Sequence, residues 1–361
     1  MRVVHVTEKI KQIIQSRGFA LFMTTFVLLG VVVSSDAFSI VVYAKQLRLF
    51  WLLVGGSLFV PLLVSSALRW QVMVSPWFQY PFFKSLQHTL AASSLNLIVP
   101  SKLGDLGKAG FLSSVDPISH SKLKHRATTL YDTAALVLLE KILDLSALLF
   151  LCAIGAFGTG KVLLGGGLSV ALSVMGFLLF DGCRARKDQC LEPEQVTGGL
   201  GLQERSFQLL DRIRSPLRQW KGWTFGFFLG SLLMWVMHLM QIGVFFLACG
   251  VTVSVMDIAS NVPLAIIAGL VPITIAGIGV RDSALVILFF EHGPAAQIAL
   301  VGMLTSLRYL IPGLMGVPFL YQSLRSQTGR DQKQKVGQMR IDQDHEKLLH
   351  RIEPVSKSAS C

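Results

Sequence analysis

The chain has 361 residues, of which 52% are hydrophobic and 15% charged, and its mean hydropathy is +0.58. Soluble domains carry about 25% charged residues and disordered chains lack apolar residues, so this composition excludes an ordinary soluble enzyme and a disordered protein. The net charge of +12 is not accompanied by a soluble basic face with aromatic residues, which argues against nucleic-acid binding and leaves an integral membrane protein.

Six apolar runs in the chain are each long enough to cross a bilayer core about 30 Å thick. The first starts at Gly18, after the basic stretch 1–17, and continues to about Val33 with no signal-peptide cleavage site, so it predicts a transmembrane helix. The others lie near residues 50–68, 127–157, 161–180, 223–249 and 295–321.

Two further segments, 84–112 and 257–292, are apolar but are interrupted near the middle by Pro and Gly, with charged residues beside the break. Irregular backbone survives at membrane depth only where it is buried in protein or lines a wet cavity. We therefore expect both segments to be broken or re-entrant helices. The predicted fold is an all-α, polytopic helical bundle with about six full spans and two re-entrant segments, eight membrane segments in all.

The basic residues predict the orientation. If both broken segments return to the side from which they entered, then 1–17, 113–126, 181–222 and 323–361 share one side and hold most of the Lys and Arg residues, as cytoplasmic segments do. We expect both termini in the cytoplasm and a membrane domain over 18–322 that contains the cytoplasmic loop 181–222. The polar tail 323–361 is expected to be disordered.

The first broken segment carries a group of candidate site residues: Asn96, Lys102, Gly104, Asp105 and Lys108. The glycine permits a tight turn, and the aspartate can cap or begin the half-helix that follows. A helix N-terminus with nearby lysines suits a phosphate group. The alternative is a loop at the membrane edge whose lysines contact lipid headgroups.

The span near 127–157 carries a second group. Glu140 and Asp144 are four residues apart and Asp132 lies eight residues before Glu140, so the three carboxylates share one helical face, with Lys141 beside them. Charged groups are costly in lipid, so this face is expected to point inward. One interpretation is a proton or cation relay, and the other is a pairing surface for Lys102, Lys108, Arg281 or Arg308.

A third group, Pro272, Gly277, Gly279, Arg281 and Asp282, lies in the second broken segment, just before an apolar helix. Glycines at a helix start leave backbone N–H groups free for an anion, and an arginine adds bidentate phosphate recognition. The aspartate can cap the first helical turn. The simpler interpretation is that the Arg-Asp pair closes a local turn.

Two isolated polar residues lie in apolar spans. Arg308 is either a further cation lining a cavity or a snorkelling side chain, and His238 is expected to form a hydrogen bond between helices. The sequence shows no metal-ligand pattern, no nucleotide-binding loop and no hydrolase motif, so we expect no metal and no cofactor.

Three motifs in this order and spacing resemble a known family: Asn96-x3-Pro100-x3-Gly104-Asp105, Glu140-Lys141-Ile142-Leu143-Asp144 and Pro272-x4-Gly277-x-Gly279-Val280-Arg281-Asp282. The chain is similar over about residues 15–322 to the flippase-like domain family, which includes the transmembrane region of lysylphosphatidylglycerol synthase and hopanoid-associated bacterial membrane proteins. The pair Arg69-Trp70, which ends the second span as an interfacial pair, also resembles the family. Lys102 stands where the family often has arginine, which keeps the charge and loses the bidentate geometry.

The resemblance implies a protein of the bacterial inner membrane that moves an anionic phospholipid, or a polyprenyl-linked or glycolipid, between leaflets and is not an enzyme. Its partner is then a membrane lipid, with a homo-oligomer or a biosynthetic enzyme as a further partner. The alternative is a membrane-embedded enzyme or accessory of lipid-linked sugar, hopanoid or aminoacyl-lipid metabolism, in which the acid face supplies a base. A scaffold that binds a partner through its tail is the third interpretation.

Overall fold

The computed structural model describes residues 18, 21–75, 78–99, 103–112, 130–180, 213, 224–271 and 273–325. The N-terminal stretch 1–17, nearly all of the predicted loop 181–222 and the tail beyond residue 325 lie outside the described residues. The site candidates Lys102 and Pro272 lie outside them as well.

The first predicted span is bent. Helix α1 (Leu21–Ser34) and helix α2 (Ala37–Lys45) meet at an angle of 77°. Asp36 separates them because its carboxylate accepts hydrogen bonds from the backbone N–H of Phe38 (3.2 Å) and the hydroxyl of Ser39 (2.7 Å) and so starts a new helix.

The second span follows the prediction more closely. Helices α3 (Leu49–Ser57) and α4 (Phe59–Val74) form one apolar stretch of 26 residues. The first predicted broken segment comes next and folds back on itself. Helix α5 (Phe82–Asn96) leads to a 3-10 turn at Leu103–Leu106, which packs against α5, and then to the short helix α6 (Gly107–Leu112). We call α5, this turn and α6 the first hairpin.

Three long helices occupy the middle of the chain: α7 (Leu130–Gly158), α8 (Val162–Phe180) and α9 (Thr224–Ala248). The second predicted broken segment then folds back in the same way as the first, with α10 (Val255–Ala268) packed against α11 (Val280–Leu288). We call these two helices and their connecting turn the second hairpin. The described part ends with α12 and α13, which cover Ala295–Met315 and 317–325.

The helices fit a multi-pass membrane protein. In the described part of the chain, three helices are long and apolar enough to cross a membrane, Leu49–Val74, Phe225–Ala248 and Ala295–Met315, and the bent pair α1–α2 is a fourth if it counts as one span. Shorter apolar helices accompany them. The fold is therefore all-α as predicted, while the predicted number of eight membrane segments is not confirmed.

The outer surface of the bundle is apolar. Large hydrophobic side chains on several helices are strongly exposed, among them Leu163 at 94%, Phe83 at 76% and Phe225 at 73%. Soluble monomers rarely expose such surface continuously, whereas lipid-facing helices do so by necessity.

Helix α7 is the central element, because it contacts the first hairpin, α8, α9 and the second hairpin. Small residues allow its closest approach to α10. A Cβ added at Gly155 would lie 2.3 Å from the backbone nitrogen of Ser260, and the thiol of Cys152 donates to the Ser260 carbonyl at 3.1 Å. Helix α7 therefore packs against the second hairpin near its C-terminal end and against the first hairpin at its charged residues.

Candidate functional site

Six charged side chains of α4, the first hairpin and α7 form one network, which is buried except at Lys141. Three are cations and three are carboxylates, so its formal charge is zero. We call it the neutral cluster: Arg69, Lys108, Lys141, Asp105, Glu140 and Asp144.

Arg69 connects three helices. Its guanidinium donates to Glu140 Oε1 at 2.7 Å and to Asp144 Oδ2 at 3.2 Å, which is possible because these carboxylates lie one turn apart on α7. It also donates to the hydroxyl of Ser231 on α9 at 2.7 Å. Only 9% of Arg69 is exposed and Trp70 is fully buried. The prediction of an interfacial pair was therefore wrong.

Lys108 attaches the first hairpin to α7. Its ammonium group donates to both oxygens of Glu140, at 3.1 and 3.2 Å, and lies 4.9 Å from the ring centroid of Trp70. Lys108 and Glu140 are almost completely buried, at 2% and 1% exposure. Glu140 thus neutralises two cations from two different elements.

Asp105 closes the first hairpin. It accepts a hydrogen bond from the Asn96 side chain at 2.8 Å and pairs with Lys141, whose ammonium group lies 3.9 Å from Asp144. The Lys141 side chain is 41% exposed, in contrast to the buried Arg69 and Lys108. Each carboxylate of the neutral cluster has a cationic partner, which favours the predicted pairing surface over the relay.

Gly104 permits this closure. A Cβ at Gly104 would lie 2.4 Å from the backbone nitrogen of Asn96, so the turn can pack against α5 only without a side chain. We expect Gly104→Ala to lower the free energy of unfolding by about 1–3 kcal/mol through overpacking. Thermal unfolding in detergent measures this, with Gly56→Ala as the control because a Cβ there meets nothing within 4 Å. Equal midpoints for the two variants would contradict the close contact.

The turn of the second hairpin depends on glycine. Gly277 and Gly279 have φ of 72° and 93°, and a Cβ at Gly277 would lie 2.3 Å from the Gly269 carbonyl oxygen. The N–H of Gly279 donates to Asp282 Oδ2 at 2.9 Å. The predicted cap by Asp282 is confirmed. The predicted free N–H groups are not all free, because this carboxylate occupies the one at Gly279.

Arg281 is buried next to this turn, with 2% exposure. It donates to Asp282 Oδ1 through Nε at 3.0 Å and to the hydroxyl of Ser306 on α12 through Nη2 at 2.7 Å. Its Nη1 is buried and donates to no acceptor among the described residues. The predicted pairing of Arg281 with the acid face of α7 is not present in this part of the chain.

Arg308 lies beside Arg281 and is also buried, at 7% exposure, so it does not snorkel. Its Nη1 donates to His238 Nδ1 at 2.9 Å and its Nη2 to the Tyr309 hydroxyl at 2.6 Å, which confirms the predicted interhelical bond of the histidine. Both guanidinium carbons lie near the Tyr309 ring centroid, at 5.2 Å for Arg281 and 4.9 Å for Arg308. We call this group the second cluster: His238, Arg281, Asp282, Ser306, Arg308 and Tyr309.

Sequence reasoning missed three site residues, Arg69, Ser231 and Tyr309. The signal for Arg69 was available, because a charge inside an apolar helix is by default a functional candidate. The predicted acid Asp132 lies on α7 and contributes none of the contacts described above.

An apolar groove of about 340 Å³ runs between α1 and α11. Its walls include Phe26, Val27, Val286 and Ile287, with hydroxyl groups from Ser34, Ser35 and Ser283. The helix that carries Arg281 and Asp282 at its start therefore forms one wall of an apolar groove along its length.

Comparison with known proteins identifies a family for this chain. The model of the family described as "Lysylphosphatidylglycerol synthase TM region" matches residues 18–316, which include both hairpins and both clusters. A search of curated proteins gives no match.

Proposed function

The chain belongs to the lysylphosphatidylglycerol synthase transmembrane-region family, as its motifs predicted, and from this membership and its buried charges we propose that it moves an anionic lipid between membrane leaflets. The lipid is a phospholipid or a polyprenyl-linked or glycolipid. The protein lies in the bacterial inner membrane with both termini in the cytoplasm, on the side that the basic segments favour.

The observation that carries this proposal is the neutral cluster inside a bundle whose outer surface is apolar. Each charged group at membrane depth costs several kcal/mol, and buried ion pairs rarely repay that cost in stability. A lipid headgroup crossing hydrocarbon meets the same cost, and a polar interior lowers it. We therefore infer that a polar substrate passes through this charged interior.

The second hairpin carries a charged surface and an apolar surface, which correspond to the headgroup and the acyl chains of a lipid. Arg281 and Asp282 begin α11, and Val286 and Ile287 on the same helix line the apolar groove. A lipid needs a charged surface for its headgroup next to an apolar surface for its acyl chain, whereas a soluble anion needs only the charged surface.

In the membrane, each hairpin enters and leaves on one side, and α7 lies between the two. Paired broken helices of this kind form the substrate site of many transporters. An anionic headgroup reaches Lys141 first, because this is the exposed cation of the neutral cluster. When the headgroup replaces Asp105 at Lys141, the turn of the first hairpin loses one of its attachments to α7, and this release opens the path.

Reconstitution of the purified full chain into liposomes tests the proposal. Fluorescent phosphatidylglycerol and a fluorescent polyprenyl phosphate, bleached from outside by a membrane-impermeant reductant, report how much lipid reaches the outer leaflet. We expect more bleaching than in protein-free liposomes and a lipid of unchanged mass. A lipid of altered mass would instead support the membrane-embedded enzyme, and bleaching equal to that of protein-free liposomes would overturn the proposal.

A further inference from the structure

We propose that the second cluster is the binding site for the headgroup phosphate, and that its charge selects a singly charged phosphodiester over a diphosphate. This inference rests on the proposed function only for the source of the phosphate, which is a lipid. The binding site itself follows from the charges and the donors of the cluster.

The two clusters differ in charge. The neutral cluster pairs three cations with three carboxylates. In the second cluster, Arg281 pairs with Asp282, while Arg308 contacts no carboxylate among the described residues. Within the described part of the chain, one buried positive charge is therefore left without an anion, and a buried charge is favourable only when it is paired.

The donors of the second cluster outnumber its acceptors. Arg281 Nη1 is buried and has no acceptor among the residues that the structure describes, and Arg281 itself is 2% exposed. Arg308 donates only to neutral groups, His238 and Tyr309, in the described part of the chain. A guanidinium has no acceptor atom, so the bond to His238 Nδ1 requires a neutral imidazole that carries its proton on Nε2. A phosphate supplies the acceptor oxygens and the negative charge that these donors lack.

One aromatic ring holds the two arginines together. The guanidinium carbons of Arg281 and Arg308 both lie about 5 Å from the centroid of the Tyr309 ring. Arg281 comes from the second hairpin, while Arg308 and Tyr309 come from α12. A phosphate bound between the two arginines therefore also links the hairpin to α12, beside the helix that forms a wall of the apolar groove.

The class of phosphate follows from the charge balance. A phosphodiester carries one negative charge and neutralises the single excess positive charge. A diphosphate carries at least two and leaves a buried negative charge in its place, which is unfavourable for the same reason. The site is thus matched to a phosphodiester lipid such as phosphatidylglycerol and not to a polyprenyl diphosphate.

Equilibrium titration of the purified full chain in detergent tests this assignment. Tryptophan fluorescence can follow it, because Trp235 lies 5.1 Å from the His238 ring. The probes are phosphatidylglycerol, a polyprenyl diphosphate, glycerol 3-phosphate and inorganic phosphate. We expect phosphatidylglycerol to bind more tightly than the other three.

Substitutions of Arg308 identify the site. We expect Arg308→Gln to weaken phosphatidylglycerol binding about tenfold or more. Arg308→Lys should weaken it less, because lysine keeps the positive charge and loses only the bidentate geometry of the guanidinium. The matched control Lys45→Gln removes one exposed positive charge and should bind as the wild type does. If Arg308→Gln does not fold, the comparison of Arg308→Lys with Lys45→Gln carries the test.

Three results would overturn the inference: a folded Arg308→Gln variant with wild-type affinity, tighter binding of the diphosphate than of phosphatidylglycerol, or glycerol 3-phosphate bound as tightly as the lipid. The last would assign the site to a soluble anion. Arg308-dependent lipid binding without transport in liposomes would keep the site and remove the proposed function, so the two can fail separately.

Discussion

Replacing Glu140 with alanine is expected to lower the free energy of unfolding by about 3–5 kcal/mol, because it leaves buried charges without their partner. Glu140 accepts hydrogen bonds from Arg69 on α4 and from Lys108 on the first hairpin, and it is 1% exposed. Its loss leaves Lys108 with no carboxylate partner among the described residues and Arg69 with Asp144 alone. The first hairpin should then separate from α7 at a lower temperature.

Thermal unfolding in detergent measures this effect. Glu140→Gln keeps the size and removes the charge, so it should fall between Glu140→Ala and the wild type. The matched control is Glu291→Gln, because Glu291 is exposed. The double variant Glu140→Ala with Lys108→Met should recover part of the loss, because it removes the cation that Glu140→Ala leaves without a carboxylate. If Glu140→Ala and Glu291→Gln unfold at the same temperature, the ion pairs of Glu140 contribute nothing to stability.

Gly316→Ala is expected to have the second large effect, a loss of about 3 kcal/mol at the upper end of what overpacking costs. A Cβ at Gly316 would lie 1.9 Å from the carbonyl oxygen of Leu90 and 2.5 Å from the Ser94 hydroxyl. The first contact is with backbone, which cannot rotate away as a side chain does. The substitution must therefore push the end of α12 away from α5.

The same unfolding measurement applies to Gly316→Ala, and Gly176→Ala is its control, because a Cβ there meets nothing within 4 Å. Since α5 is part of the first hairpin, the variant should also slow lipid movement in liposomes. A midpoint equal to that of Gly176→Ala would contradict the close approach of α5 and α12.

The sequence predicted correctly that two of the three acids, Glu140 and Asp144, share one face of α7, because that inference needs only the helical period. Glu140 and Asp144 had to share a face four residues apart, and they do. Their partners were harder to predict, because pairing depends on which helices pack together. Lys108 was among the predicted partners, while Arg69 lies 71 residues from Glu140 in the chain and was missed.

Both broken segments were predicted from Pro and Gly near their centres, and both fold back as hairpins. The bend of the first span was not predicted, because it depends on a single capping residue, Asp36, in an otherwise apolar run. The second cluster was predicted only in part. Arg281 and Arg308 were both candidates, but the ring of Tyr309 that joins them follows from the packing of the second hairpin on α12.

The difference between the two clusters suggests different tasks for their charges. The neutral cluster, in which every cation has a carboxylate, holds α4, α7 and the first hairpin together. The second cluster has one more cation than carboxylates and a buried donor without an acceptor among the described residues, and we propose that it receives an anion. Substitutions in the neutral cluster should therefore reduce stability and transport together. Substitutions in the second cluster should reduce lipid binding and transport.

Lipid movement in liposomes by the wild type, Arg281→Ala and Glu140→Gln is the most direct test of a transport path through the charged hairpins. Only variants that elute as folded protein in size-exclusion chromatography are compared, with Glu291→Gln as the control. We predict that the wild type and Glu291→Gln move phosphatidylglycerol and that Arg281→Ala and Glu140→Gln do not. Movement by Arg281→Ala at the wild-type rate would contradict the account.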